Sequence, residues 1–203
     1  MRVAVVLVVA LAACTPDVFS ESYYCGPDSS CPDGQACDGK APDLMGGRGS
    51  ICVLESRAQP FECGAVTMTE PDDTSATAHL FQPADCQGIP VSEKNCMQDG
   101  DAEDWVRFEQ NCGGAAEIKA TVSFPIAFER MAIELWDVDA NTKLGDDGEC
   151  RETAEVGEEK RCITLPVTAG TSYGVRVRPA GDGNCDGNCA HNRYSLSLQL
   201  TKP

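Results

Sequence analysis

The sequence predicts an all-β fold: an antiparallel β-sandwich, jelly-roll-like, preceded by a small disulfide-rich knot. Three observations lead there. Beyond residue 64 the apolar residues recur with period two between turn clusters, which is the pattern of strands buried on one face. No convincing helical period follows the first fourteen residues. Thirteen cysteines in 203 residues point to an oxidising compartment, where small loop-rich segments are held by cross-links.

The alternation is clearest in the second half. In Ile118-Lys119-Ala120-Thr121-Val122-Ser123-Phe124 apolar and polar residues take turns, and Ile133 and Leu135 flank Glu134 in the same way. Tyr173, Val175 and Val177 alternate with Arg176 and Arg178, and Tyr194, Leu196, Leu198 and Leu200 with Ser195, Ser197 and Gln199. One face of each strand is expected to be buried and the other wet. The run Gly100-Asp101-Ala102-Glu103-Asp104-Trp105-Val106-Arg107-Phe108 joins carboxylates to an aromatic strand, and reads as the opening edge of the sandwich.

The chain divides at 1–13, 14–24, 25–63 and 64–203: a signal peptide, a lipidated tether, a cysteine-rich module and the sandwich. Arg2 and the apolar run Val3 to Leu11 form a signal segment. The run is too short for a permanent span, which needs about 20 residues. The tetrad Leu11-Ala12-Ala13-Cys14 resembles the bacterial lipobox, which implies lipid on the Cys14 sulfur and membrane anchoring through it. Thr15, where an Asp would favour the inner membrane, suggests an outer-membrane address, periplasmic or surface-facing. Removing Cys14 from thirteen cysteines leaves twelve, an even number able to close six bridges.

The module 25–63 has little apolar material of its own, so cross-links must substitute for a core. Cys25, Cys31, Cys37 and Cys52 allow three connectivities. The interleaved one, Cys25 with Cys37 and Cys31 with Cys52, closes the whole segment. The pairing of Cys63, Cys86, Cys96, Cys112, Cys150, Cys162, Cys185 and Cys189 stays open.

Thirty-two acidic against 16 basic residues give a formal charge of -16, which repels phosphate backbones and makes nucleic acid an unsuitable partner. Catalysis has little to stand on. There is no G-x-S-x-G, no H-E-x-x-H and no phosphate-cradling glycine loop. His79 reads as a surface strand residue, and His191 follows cysteines expected to be bonded.

Three phrases carry a family likeness. They are Glu70-Pro71-Asp72-Asp73-Thr74-Ser75-Ala76-Thr77-Ala78, then Asp101-Ala102-Glu103-Asp104-Trp105-Val106-Arg107-Phe108, and last Ala169-Gly170-Thr171-Ser172-Tyr173-Gly174-Val175-Arg176-Val177 with Tyr194-Ser195-Leu196. On these, residues 66 to 200 resemble the bacterial pre-peptidase C-terminal domain, a sandwich often appended to secreted peptidases and related to the collagen-binding domains of clostridial collagenases. Asp72 replaces an Asn of the family phrase. The extra cysteines and the acidic insertion from Cys150 to Cys162 depart from its pattern.

The resemblance implies calcium held by Glu70, Asp72, Asp73, Asp101 and Asp104. Calcium takes six to eight hard oxygens, and clustered carboxylates repel one another without a cation. A solvated acidic turn is the other reading of the same residues. Asp137-Val138-Asp139 and Asp182-Gly183-Asn184 mimic the start of a calcium loop, but Thr142 and Arg193 stand where such loops need other residues, so both read as hairpin turns. The expected function is a non-catalytic, lipid-anchored surface protein whose exposed strand face binds an extracellular protein or polysaccharide. The alternatives are an accessory or substrate-targeting subunit of a secreted hydrolase and a structural envelope lipoprotein.

Overall fold

In the computed structural model, residues 23–40, 50–63, 71–83, 85–97, 101–180 and 192–203 are described. The signal segment, Cys14, Glu70, Cys185, Cys189, His191 and the loop at Asp182 lie outside them.

Among the described residues twelve strands follow a short 3-10 turn at Pro27–Ser29. A hairpin of β1 (Gln35–Cys37) and β2 (Cys52–Leu54) makes the knot. The sandwich comprises β3 (His79–Leu80), β4 (Val91–Met97), β5 (Asp104–Glu109), β6 (Ala116–Pro125), β7 (Met131–Asp137) and β8 (Thr142–Asp146). It continues through β9 (Gly148–Glu149), β10 (Glu158–Val167), β11 (Ser172–Pro179) and β12 (Asn192–Thr201). One sheet runs β4-β12-β6-β10-β9 and the other β3-β5-β11-β7-β8. Without the two-residue strands β3 and β9, the orders β4-β12-β6-β10 and β5-β11-β7-β8 are those of a jelly roll.

The alternating residues set the two layers face to face. Ile118, Val122, Leu196 and Leu198 from the first sheet meet Val106, Phe108, Ile133, Leu135, Val175 and Val177 from the second in one core. Burying each such side chain contributes about 1.5–3 kcal/mol. Register is fixed by this burial, since a slip of one residue would turn every apolar side chain to water.

Two expectations change here. β5 is not the edge of its sheet, because β3 pairs with it in parallel, His79 opposite Val106 and Leu80 opposite Arg107. The acidic stretch Cys150–Cys162 is only partly an insertion: from Glu158 onward it is β10, paired along its length with β6.

Among the described residues five disulfides join Cys25–Cys37, Cys31–Cys52, Cys63–Cys96, Cys86–Cys112 and Cys150–Cys162. The first two are the interleaved pair of the knot. The knot shares its core with the sandwich: Cys25 and Cys52 bury against Ala127 and Phe128 in the turn between β6 and β7. Phe61 meets Phe128 edge-on at 4.8 Å. The guanidinium of Arg193, on β12, lies 4.6 Å from the centre of the Phe61 ring and donates to the Glu62 carbonyl at 3.0 Å. Together with Cys63–Cys96, these contacts weld the knot to the end of the first sheet.

Candidate functional site

Three surfaces bear chemistry, and the fold positions each differently. The first is the rim where β5 begins. The Asp72 carbonyl accepts the Trp105 N–H at 2.9 Å, so the opening acidic phrase is stitched to the start of β5, where Asp104 stands. Asp72 and Asp104 are both buried, Asp73 is exposed, and both Asp101 carboxylate oxygens are shut off from solvent. The Tyr194 hydroxyl donates to Asp104 Oδ2. Burial first, then the charge of Asp104, pushes the Tyr194 hydroxyl well above its usual range, and Asp72 and Glu93 add to it.

His79 ties this rim across the two sheets. Its Nδ1 lies 3.6 Å from Asp72 and its Nε2 3.0 Å from Glu93 on β4. Hydrogen bonds to Asp72 and Glu93 outweigh burial and raise the imidazole to about 9, so it is a cation at neutral pH. The sequence reading as a plain surface strand residue missed this, because its partners come from another strand and from a turn.

Of the expected calcium ligands, the structure thus draws Asp72 and Asp104 to one place with Asp101 enclosed beside β5, while Glu70 lies outside the described residues. Among the described residues no three carboxylates bring their oxygens within 4.8 Å of one another. The donors are the hard, desolvated oxygens calcium favours, and Asp72 is occupied by an internal cation, His79. The two other close groups, Cys25 with Cys31 and Cys52, and Cys150 with Glu152 and Cys162, have their sulfurs in disulfides.

The loop at Asp137–Asn141 is a hairpin turn between β7 and β8. Asp137 Oδ1 accepts the Ala140 N–H at 2.9 Å, and Asp139 Oδ2 accepts that of Ser172 at 3.2 Å. Both carboxylates are used by backbone.

The second surface is the outer face of the second sheet, and it is sealed. Trp105 and Trp136 meet at 5.6 Å above Gly174, where a Cβ would lie 3.2 Å from the Trp105 ring and 2.9 Å from Val138. Each indole N–H donates to the carboxylate two residues earlier, Trp105 to Glu103 at 2.8 Å and Trp136 to Glu134 at 3.0 Å. Arg176 bridges both carboxylates and lies 5.9 Å from the Trp105 ring centre. Burial alone would raise Glu134, but hydrogen bonds from Trp136, Arg178 and Arg176 hold it below the usual carboxylate range.

The third surface is the outer face of the first sheet, open over β4 and β12 and met by the β9–β10 loop on its β10 side. Strand register lays its outward residues in rows. Lys94, Ser195, Ser123 and Lys160 lie side by side, then Ser92, Ser197, Thr121 and Cys162, then Gln199, Lys119 and Thr164. Neighbouring rows are set by the strand repeat, and neighbours within a row stand about 4.8 Å apart. Among the described residues, none of the Ser92, Ser123, Ser195 and Ser197 hydroxyls is bonded to another protein group. The face is walled at one end by the knot, where Phe61 covers Arg193. On the β10 side it is walled by the loop between β9 and β10. That loop meets the knot, since a Cβ on Gly157 would lie 3.1 Å from Tyr24.

No protein-family model matches the chain, and no curated protein matches it. Among solved structures it is similar to the pre-peptidase C-terminal domain of a collagenase from Bacillus anthracis. The identity is 16%, the match covers 60% of this chain and 93% of that one, and the TM-score is 0.40.

Proposed function

We propose that this chain is a non-catalytic, lipid-anchored binding module, held by Cys14 at the bacterial outer membrane and presenting the outer face of its first sheet to a polymer or protein outside the cell. The observation that carries this reading is the contrast between the two outer faces. The second sheet spends its tryptophans and glutamates on one another and on Arg176, whereas the first leaves a walled row of serine hydroxyls with Lys94 exposed beside them, and only Lys119 and Lys160 are met by the chain's own loop. Serine and threonine hydroxyls both donate and accept, and such short side chains on a β-surface lose less freedom on contact than long ones do.

Several arrangements support a binding role over catalysis. His79 is committed to Asp72 and Glu93, and every described cysteine is in a disulfide. The apolar run closing on Leu11-Ala12-Ala13-Cys14 supports the anchor. Calcium is proposed at the β5 rim, where Glu70, Asp72, Asp73, Asp101 and Asp104 would hold it, the Asp72 carboxylate being shared with His79. When bound, the ion supplies charge neutralisation and stiffening. The residues themselves fix the start of β5 to the opening turn and exclude water from Asp104 through Tyr194.

The test is binding of the purified protein to a panel of polysaccharides and extracellular proteins, repeated with Ser197→Tyr in the middle of the open face. An aromatic residue suits a strand surface, so the fold is retained. The reading requires binding that Ser197→Tyr abolishes; binding indifferent to that change contradicts it.

A further inference from the structure

The acidic loop between β9 and β10 does more than border the open face. It is pinned down on it at three points. Cys150 bonds to Cys162, whose side chain belongs to the second row. The Glu152 carboxylate pairs with the Lys119 ammonium, and Lys160 Nζ donates to the Thr153 carbonyl at 3.3 Å. A carboxylate and a carbonyl of the chain itself therefore sit on two of the three lysines of this face, beside the hydroxyls of Thr121 and Ser123. Lys119 holds the Glu152 carboxyl below its usual range, so the occupant is an anion at neutral pH.

The charge pattern is local. The chain carries -16 overall, yet the strand residues in the rows of Ser195, Ser197 and Gln199 include Lys94, Lys119 and Lys160 and no acid. Glu117 lies one row beyond Lys119 and Glu158 one row beyond Lys160, so acids border the lysine rows without entering them, and charges farther off are screened beyond about 8 Å at physiological salt. The chemistry this face recognises is a carboxylate flanked by hydroxyls, repeated along an extended surface.

Resting on the binding role proposed above, we infer that the outer face of the first sheet takes a carboxylate-bearing polysaccharide, a polyuronate. The Cys150–Cys162 loop is the internal occupant that the polymer displaces from Lys119 and Lys160. Ring hydroxyls of the polymer meet Ser92, Ser123, Ser195 and Ser197, and its carboxylates meet the three lysines. An occupant that must be displaced lowers the apparent affinity by the fraction of molecules in which the site is free, so weakening it tightens binding.

The experiment is titration of the purified protein with polygalacturonate in the presence of EDTA, which removes calcium bridging, with dextran and polyglutamate as comparison polymers. The structure requires binding to polygalacturonate over both comparison polymers. The combined variant Lys94→Gln, Lys119→Gln and Lys160→Gln weakens it by about tenfold or more, consistent with loss of charge-assisted hydrogen bonds. Glu152→Gln, which frees Lys119, tightens it by about threefold to tenfold. All four positions are on the surface, and an unchanged far-ultraviolet circular dichroism spectrum confirms that each variant is folded. Equal binding of polyglutamate, indifference to the lysine changes, or weaker binding by Glu152→Gln overturns the inference. If polygalacturonate does not bind while Ser197→Tyr still abolishes binding to another polymer, the ligand class falls and the binding face stands. If Ser197→Tyr abolishes nothing, both fall.

Discussion

His79→Gln removes the imidazolium that ties Asp72 to Glu93 while keeping a polar side chain at the same place on β3. The folded imidazole titrates at about 9 against a model value of 6.5. At about 1.4 kcal/mol per unit, that shift would amount to about 3 kcal/mol for a fully shielded ring. The ring keeps 22% of its side-chain surface in solvent, and screening brings the expected contribution to about 1–2 kcal/mol. Because the folded pKa lies above the unfolded one, this stability is complete below about pH 6.5 and is lost as pH rises through about 9. Urea unfolding of the wild type and His79→Gln, in EDTA, from about pH 6 to about pH 10 reads it directly. The difference between the two proteins is expected to be largest at the acid end and to shrink towards the alkaline end. A difference constant across the range refutes the ion pairs as its origin.

Other outcomes follow from the same contacts. Gly174→Val places a side chain against Trp105 and Val138, where even a Cβ lies 3.2 Å and 2.9 Å away; the expected cost is about 1–3 kcal/mol, read as a lower urea midpoint with altered tryptophan fluorescence. Replacing Cys63 and Cys96 together by Ser opens a loop of 33 residues, with an expected loss of about 4 kcal/mol and easier proteolysis of the knot in the folded protein. Calcium is expected to raise the melting temperature, by an amount equivalent to about 2.7 kcal/mol at a hundredfold excess over Kd, and Asp101→Asn with Asp104→Asn to remove that response.

Much of the sandwich was legible because its strands obey a local rule. β6, β7, β11 and β12 alternate strongly enough that their inward residues, Ile118, Ile133, Val175 and Leu196 among them, are the core. β4 was not legible: Val91-Ser92-Glu93-Lys94-Asn95-Cys96-Met97 has no clean alternation, and becomes a strand because β12 supplies its partner along its length. The second sheet defied the expectation of one wet face. Trp105 is buried outside the main core, because the β7–β8 turn folds Val138 back over Gly174, and no window on the sequence contains both sides of that contact. The knot read as a separate module for the same reason. Its contacts with β12 are made by Arg193 reaching Glu62, 131 residues away in the chain.

The candidate sites divide along the same line. The carboxylates around β5 were visible as a cluster, and Asp72 does meet the start of that strand through Trp105. Their ties to His79, Glu93 and Tyr194 come from three other strands, which no spacing reveals. The open face is an assembly of ordinary serines, threonines and lysines, individually uninformative. Only register places Lys94 and Lys160 at either end of one row across four strands.

Whether the outer face of the first sheet is the binding face can be read by lysine acetylation footprinting, with a polymer bound to the protein and without it. Lys94, Lys119 and Lys160 are expected to be modified more slowly in the complex, with unchanged rates at Lys40, Lys143 and Lys202. Protection of Lys143 on the second sheet, or equal protection at every lysine, would contradict it.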